Sequence, residues 1–549
     1  MSSRAVRWSA HVAGMTCDGC ERHVAHAFER AGGTRVSASW RDGTVAFTAA
    51  DIDEAALAAT VGDAGYELRA VHRHAAPVGA GGETEWDLAI IGSGSAAFAA
   101  AIRAREAGAR VVFIEKATPG GTCVNVGCVP SKALIAAADA HHDARAHRFA
   151  GIPRLDGTPP DLAAVVAQKD ELVGSLRQAK YLDLVDDYGF ELRHGRARFV
   201  DAATIEVDGE PLTATTYLIA SGAHPAVPPI EGLAGVDYLT STTALELTEL
   251  PGRLAVVGAN AIGLELGQAF AHLGAEVTFL DIADRIAPFE EPEISAALAD
   301  ILAGDGARVV TGAQIKRVSQ AVGGTVTLEG DLGAFGSDLV VDRVLVATGR
   351  APNTAELNLD AAGVKFDDRG FVVVDDHLRT TNPQVWAAGD VTASPQFVYV
   401  AASEGTLAAD NAINGAARAA DYRTLPRITF TAPQVAAVGL TEAEATAAGH
   451  QVVTSVLPLI HVPRALVNRD TRGLIKLVAE RHTYRLLGVH VLADGAGEVI
   501  QAGVFALMAG MTTTQIAGAF HPYLTMAEGL KLAAQTFQRD VAKLSCCAA

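Results

Sequence analysis

The pattern that most limits how this chain can fold occurs twice. Residues 88–91 form an apolar run ending in Gly92-Ser93-Gly94-Ser95-Ala96-Ala97; a helix-forming stretch follows to about residue 108, and a second apolar run, 111–114, ends in Glu115. Residues 253–257 end in Gly258-Ala259-Asn260-Ala261-Ile262-Gly263, followed by the helix-forming stretch 264–273 and an apolar run, 277–280, that ends in Asp281. Each reads as the strand, glycine turn, helix and strand of a dinucleotide-binding unit. The glycines allow a tight turn and close approach to a pyrophosphate at a helix N-terminus, and the acid 23 residues past the first glycine suits a ribose hydroxyl pair. Ala97 stands where a third glycine is usual, which the pattern allows, whereas Asn260 replaces the middle glycine of the second copy. One copy is a weak signal. Two predict an α/β chain with two Rossmann-like domains and two bound dinucleotides. Asp281 favours the free 2′-hydroxyl of NADH, while Arg285 could accept the 2′-phosphate of NADPH.

Between the two units, residues 120–132 read Gly-Gly-Thr-Cys-Val-Asn-Val-Gly-Cys-Val-Pro-Ser-Lys, with Cys123 and Cys128 separated by four residues. A helix beginning across 123–132 would present unpaired N–H groups and a dipole that lower a thiol pKa, as redox chemistry requires. Two buried structural cysteines are the alternative. A zinc site fits poorly, because no second Cys/His pair lies nearby at ligand spacing. The six cysteines of the chain fall in three pairs, the others being Cys17 with Cys20 and Cys546 with Cys547.

At 549 residues and 49% hydrophobic, the chain can fill several packed cores. No apolar run reaches the roughly 18 residues of a membrane helix, so no membrane span is expected. The N-terminus lacks a signal-peptide pattern, which makes the cytoplasm the expected compartment and chemistry, rather than structural disulfides, the expected use of the cysteines. A formal net charge of −19 argues against a nucleic-acid partner.

Residues 5–71 read as strand 6–12, helix 18–30, strands 35–40 and 44–48 around an Asp-Gly turn, helix 53–62 and strand 66–71, a βαββαβ ferredoxin-like order. The first loop is Gly14-Met15-Thr16-Cys17-Asp18-Gly19-Cys20, on which this segment resembles the heavy-metal-associated domain. Cys17 and Cys20 there would hold a soft cation; a thioredoxin-like redox pair is the alternative reading. Residues 72–84 mix Pro, Gly and Ala without periodicity and read as a flexible tether, with His72 and His74 either solvated or metal-binding.

Further on come Val346-Ala347-Thr348-Gly349-Arg350 and Val385-Trp386-Ala387-Ala388-Gly389-Asp390. With the Cys123/Cys128 loop, they make residues 85–549 resemble the FAD-dependent pyridine nucleotide-disulfide oxidoreductases. The resemblance implies FAD in the first unit and NAD(P)H in the second. It also implies Gly121, Thr122, Gly349 and Asp390 as cofactor-binding residues, and Lys132 with Glu265 beside the flavin; a helix-surface lysine is the plainer reading of Lys132. From about residue 427 the chain resembles the family's dimerisation domain, which implies a homodimer whose active sites are shared between subunits. The implied division is a metal-binding domain 1–71, linker 72–84, FAD domain 85–235, NAD(P) domain 236–352, a return to the FAD domain 353–424, and dimerisation domain 425–549.

Disulfide reductases of this family carry a glutamate five residues after a C-terminal His-Pro; here His521-Pro522 is followed at that position by Met526, with Glu528 seven on. His521 is therefore a packed or capping residue as readily as an acid/base. Residues 522–533 and the ending Leu544-Ser545-Cys546-Cys547 instead resemble the mercuric reductases, a branch of the family. That implies thiol-bound Hg(II) as substrate, passed from Cys546 and Cys547 to Cys123 and Cys128, with Tyr181 and Tyr523 lining the inner site unless they are ordinary packed aromatics. The alternatives are a dihydrolipoyl dehydrogenase-like reductase with an appended metal domain, and a protein that only sequesters soft metal.

Overall fold

The computed structural model describes residues 6–40, 43–49, 52–73, 84–155, 157–322, 324–540 and 543. The chain folds as two compact units, one of Met1–Asn125, Gly174–His224 and Ala351–Ala420, the other of Val126–Val173, Pro225–Arg350 and Asp421–Ala549.

The first unit begins with β1 (Val6–Ala13), α1 (Asp18–Arg30), β2 (Thr34–Ser39), β3 (Thr44–Ala49), α2 (Glu54–Asp63) and β4 (Glu67–Arg73), the βαββαβ order expected. Its antiparallel sheet runs β2-β3-β1-β4. Alternate residues of β1 (Trp8, Ala10, Val12) and of β3 (Val45, Phe47, Ala49) pack against Val24, Ala27 and Phe28 of α1 and Leu57 and Val61 of α2. This one-sided burial is why the strands alternate in sequence. Asp53 caps α2, accepting the N–H groups of Ala55 and Ala56.

The first dinucleotide sheet is built from β5 (Trp86–Ile91), β6 (Val111–Glu115), β7 (Glu191–His194), β8 (Ala197–Phe199), β9 (Thr204–Val207) and β10 (Glu210–Ile219), in the order β7-β6-β5-β10-β9-β8; Val385–Ala387 also pairs with β10. The core strands run parallel and are covered on both faces. Leu88 and Ile90 face Phe98 and Phe113, while Ala89 and Ile91 face Phe199 and Tyr217. Two-sided burial explains the unbroken apolar run at 88–91. Helix α3 (Ser95–Glu106) covers one of those faces.

In the second unit a parallel sheet orders Arg308–Val310, Glu276–Leu280, Arg253–Val257 and Arg343–Val346. Helix Ala261–Leu273 starts three residues earlier than the expected 264, because Asn260 already stands at its N-cap. Gly263 is obligatory there: a Cβ would lie 1.9 Å from the Gly258 carbonyl oxygen. The C-terminal sheet is antiparallel, with strands Pro426–Thr429, Gln434–Gly439, Leu486–Ala493, Leu474–Glu480 and Val452–Pro458 in that order. Helix Ala496–Met508 packs on it.

In place of one helix beginning across 123–132 the chain forms two, α4 (Gly121–Asn125) and α5 (Cys128–Ala146). The break falls at Gly127, whose φ of −128° and ψ of −114° are non-helical. By length and composition alone the stretch Gly121–Ala146 could cross a membrane, a test that the core helix of a soluble protein passes as well. Its α5 portion packs on helix Ala261–Leu273, and Leu134, Ile135 and Ala138 join the core of the second unit, as an apolar core helix does.

Candidate functional site

The acid of each dinucleotide unit is held by its own turn. Glu115 accepts from Ser93 Oγ at 2.6 Å with one carboxylate oxygen and from the Ala117 N–H at 2.7 Å with the other. Asp281 accepts from the Ala259 N–H at 2.6 Å and the Ala283 N–H at 2.8 Å. The donors occupy equivalent places, one residue past the first glycine and two past the acid. Each carboxylate oxygen keeps a second lone pair, so both acids can still accept from a ribose hydroxyl. Arg285 is tied instead to its own loop, donating to the Pro288 carbonyl at 2.7 Å.

The backbone around the first turn fits a dinucleotide. Gly94, the N-cap of α3, has no side chain to occupy the open N–H groups that a pyrophosphate would meet. At Gly121, where φ is +66°, a Cβ would lie 2.6 Å from Gly94 Cα, so the turn and the Cys123/Cys128 loop meet backbone to backbone. Ala97 is fully buried in the core beneath. A cavity of about 250 Å³ opens beside Glu115, lined also by Gly92, Lys116, His224, Asn353 and Glu356. The second turn is built alike, with Asn260 as an N-cap whose side chain makes no capping bond.

The first half of the Cys123/Cys128 loop belongs to the first unit. Cys123 is half-buried in α4 beside Thr122. The Gly120 N–H donates to the Ser93 carbonyl at 3.1 Å. Asn125 braces the turn, donating to the carbonyls of Pro119 at 3.0 Å and Gly121 at 2.9 Å, while its own oxygen accepts from Arg177 at 3.1 Å. Tyr181 lies in a π-helical turn, Gln178–Leu182, edge-on to Phe98 with ring centroids 4.9 Å apart, and its ring comes within 3.4 Å of where a Gly120 Cβ would stand. Single π turns recur at functional sites and leave no mark in a helical periodicity. Ser93, Asn125 and Arg177 went unread in sequence because they act through bonds to residues 22, 6 and 52 positions away.

The second half belongs to the second unit. Cys128, half-buried, is the first residue of α5, and Lys132 follows one turn later. Lys132 Nζ lies 2.6 Å from Glu265 Oε2 and 4.7 Å from the centre of the Phe430 ring. Glu265 is buried, and its other oxygen accepts the Phe430 N–H at 2.9 Å. The plainer reading of Lys132 as a helix-surface residue is thereby replaced by a specific ion pair.

Gly349 has a φ of +120° and accepts the Ala226 N–H at 2.9 Å. Asp390 is half-buried directly after Gly389, whose N–H donates at 2.6 Å to the buried Glu404. Near the C-terminus, His521 Nδ1 lies 3.2 Å from the Ala519 carbonyl, and Met526 is buried in the apolar core, so that position offers no carboxylate. Tyr523 is 51% exposed. Cys546 and Cys547 lie outside the described residues, as do residues 74–83 of the expected linker.

In the N-terminal domain Cys17 is the N-cap of α1, and its Sγ lies 3.3 Å from that of Cys20. Hydrogen bonds from the backbone at Thr16, then from Tyr66 and Cys17, lower the Cys20 thiol from 9.0 to about 6. Its thiolate is therefore present above about pH 6 and lost below it. Labelling of Cys20 by iodoacetamide, followed by peptide mass spectrometry, is expected to rise through a midpoint near pH 6, and Tyr66→Phe is expected to shift that midpoint upward. An unmoved midpoint would remove Tyr66 from the account.

The pyridine nucleotide-disulphide oxidoreductase family model matches residues 86–405, and its dimerisation domain matches residues 425–534. Among curated proteins, "Mercuric reductase" of Staphylococcus aureus is 47% identical over 98% of both chains. "Mercuric reductase" of Streptomyces lividans is 55% identical over 85% of this chain and 99% of its own. Among solved structures, the HOCl-induced flavoprotein disulfide reductase RclA from Escherichia coli, as its Cu(II) complex, aligns with a TM-score of 0.75 at 31% identity, covering 83% of this chain and 100% of that one. The two dinucleotide turns, the interrupted helix with its cysteines, and these matches lead to one assignment: the chain belongs to the pyridine nucleotide-disulphide oxidoreductase family, in its mercuric reductase branch.

Proposed function

We propose that this protein reduces Hg(II) to Hg(0) at the expense of NAD(P)H, releasing NAD(P)⁺ and a proton, as a mercury-detoxifying flavoprotein. The observation that carries this reading is the 47% identity with a mercuric reductase across 98% of both chains. Bound FAD supplies a two-electron relay between nicotinamide and the cysteine pair.

The chain's own residues would act as follows. Glu115 holds the ribose of the first dinucleotide and Asp390 its ribityl side; Gly92, Gly94, Gly121, Thr122 and Gly349 let backbone approach it. Asp281, Gly258 and Gly263 do the same for the nicotinamide dinucleotide. NADPH is the proposed donor, its 2′-phosphate met by Arg285 once that side chain leaves the Pro288 carbonyl; NADH is the choice Asp281 favours. Lys132, oriented by Glu265, places a cation where hydride arrives. Cys17 and Cys20 collect the metal, and Cys546 and Cys547 of the partner subunit receive it from small thiols. Cys123 and Cys128 take it over one sulfur at a time, as a soft cation with few ligands permits. Tyr181 lines this inner site together with Tyr523 of the partner subunit. The division into domains at residues 71, 84, 235, 352 and 424 belongs to the same proposal.

The test is anaerobic oxidation of NADPH, and separately NADH, with Hg(II) in excess small thiol, then with lipoamide or glutathione disulfide. Mercury-dependent turnover with release of elemental mercury is expected. Turnover with disulfides alone would point to a dihydrolipoyl dehydrogenase-like enzyme, and turnover with neither to sequestration.

A further inference from the structure

Helix α5 and helix Ala261–Leu273 are joined by two polar contacts. Lys132 meets Glu265 at 2.6 Å, and seven residues further along both helices Asp139 meets His272 at 2.8 Å. Seven residues are close to two turns, so the second contact uses the same helix faces about 10 Å on. An ionised Asp139 only accepts, which places the proton of a neutral His272 on Nδ1 and a lone pair on Nε2. That Nε2 is buried and, among the described residues, has no hydrogen-bond partner, in a residue only 4% exposed.

Two further ligand groups stand beside it. The His142 ring stacks on His272, with centroids 4.0 Å apart. One ligand atom from each of His142, His272 and Asp305 lies within 4.8 Å of the others. Burial, and then the neighbouring His272, hold His142 below its usual pKa, in the neutral form that can ligate.

We propose that His142, His272 and Asp305 form a second metal site, for a borderline divalent cation of the Zn²⁺ class. Two imidazoles and a carboxylate are a zinc-type donor set, unlike the thiolate pairs that suit a soft cation, and the proposal stands independently of the mercury chemistry. Asp139 is a positioning residue that fixes the His272 tautomer and ring. Arg472 donates through Nη1 to both oxygens of Asp305 at 2.9 Å, which leaves each oxygen a lone pair, and its charge is met by Asp470 as well as Asp305. Bonds of about 2.0–2.2 Å set the final spacing of the ligand atoms, to which the less buried His142 ring can adjust by rotation. A bound ion would clamp α5, which begins with Cys128, to the helix that carries Glu265.

The test uses the full-length flavoprotein with its thiols capped by iodoacetamide, titrated with Co²⁺ and then with Zn²⁺. One Co²⁺ per chain is expected, with no thiolate-to-cobalt charge-transfer band and full displacement by Zn²⁺. His142→Gln is expected to abolish this binding, and Asp139→Asn to weaken it by about 10–100-fold. Zn²⁺ should raise the melting temperature of the wild type and leave that of His142→Gln unchanged, a comparison that holds even if the variant is less stable. Binding that persists undiminished in both His142→Gln and Asp305→Asn, or a wild type that takes up no Co²⁺ at roughly 1 mM, would overturn the site.

Discussion

Cys128→Ala is expected to lower mercury-dependent NADPH oxidation by roughly 10³-fold or more, about 4 kcal/mol of barrier, while bleaching of the flavin by NADPH continues. The residue opens α5 after Gly127, which provides no side-chain cap. A thiolate at that place meets the open N–H groups and positive dipole end of a 19-residue helix. Alanine keeps the helix and removes the sulfur, so a loss confined to mercury chemistry separates the thiol's role from that of the fold. Cys128→Ser is the control: it preserves size and hydrogen bonding but supplies neither a redox centre nor a soft ligand. Stopped-flow absorbance under nitrogen, read first with NADPH alone and then with thiol-bound Hg(II), separates the two half-reactions. Mercury turnover surviving in both variants would remove Cys128 from the reaction.

Much of this arrangement was legible in the sequence because it is local. The glycine turn at 92–97, the acid 23 residues on and the cysteine spacing of the loop all lie within short windows whose geometry a chain must satisfy regardless of what surrounds it. The domain at 6–73 was legible for a similar reason, since strands buried on one face must alternate. What escaped were short strands and distant partners. β8 and β9 have three and four residues, too few to establish a period. The brace of Asn125 by Arg177 spans 52 positions and that of Lys132 by Glu265 spans 133, distances over which pattern carries no pairing information. The second was reached only through family resemblance. The loop's interruption also escaped, because an apolar run through Val126 and Gly127 reads as continuous until the backbone angles of Gly127 are seen.

The Lys132–Glu265 pair separates stability from chemistry more sharply than any cysteine can. Lys132→Met would leave the Glu265 carboxylate, 8% exposed, with only the Phe430 N–H as a partner among the described residues. Breaking a fully buried pair from one side costs about 3–5 kcal/mol, but the Lys132 side chain is 33% exposed, and solvent screening reduces the expected loss to roughly 2 kcal/mol. Removing the charge from both sides is different: Lys132→Met with Glu265→Leu replaces the pair by apolar groups, which is often neutral in energy. Melting temperature should therefore fall in either single variant and recover in the double one except for the cost of the Phe430 N–H that loses its acceptor, the non-additivity expected of directly coupled residues. Flavin reduction by NADPH should fall by roughly 10–100-fold in Lys132→Met, because a positioned charge that meets developing charge is lost. The double variant should not regain that rate, since nothing apolar can replace it. Recovery of both melting temperature and rate in the double variant would make the pair a packing device for α5 alone. Recovery of stability without rate would assign Lys132 to the chemistry and Glu265 to holding it in place.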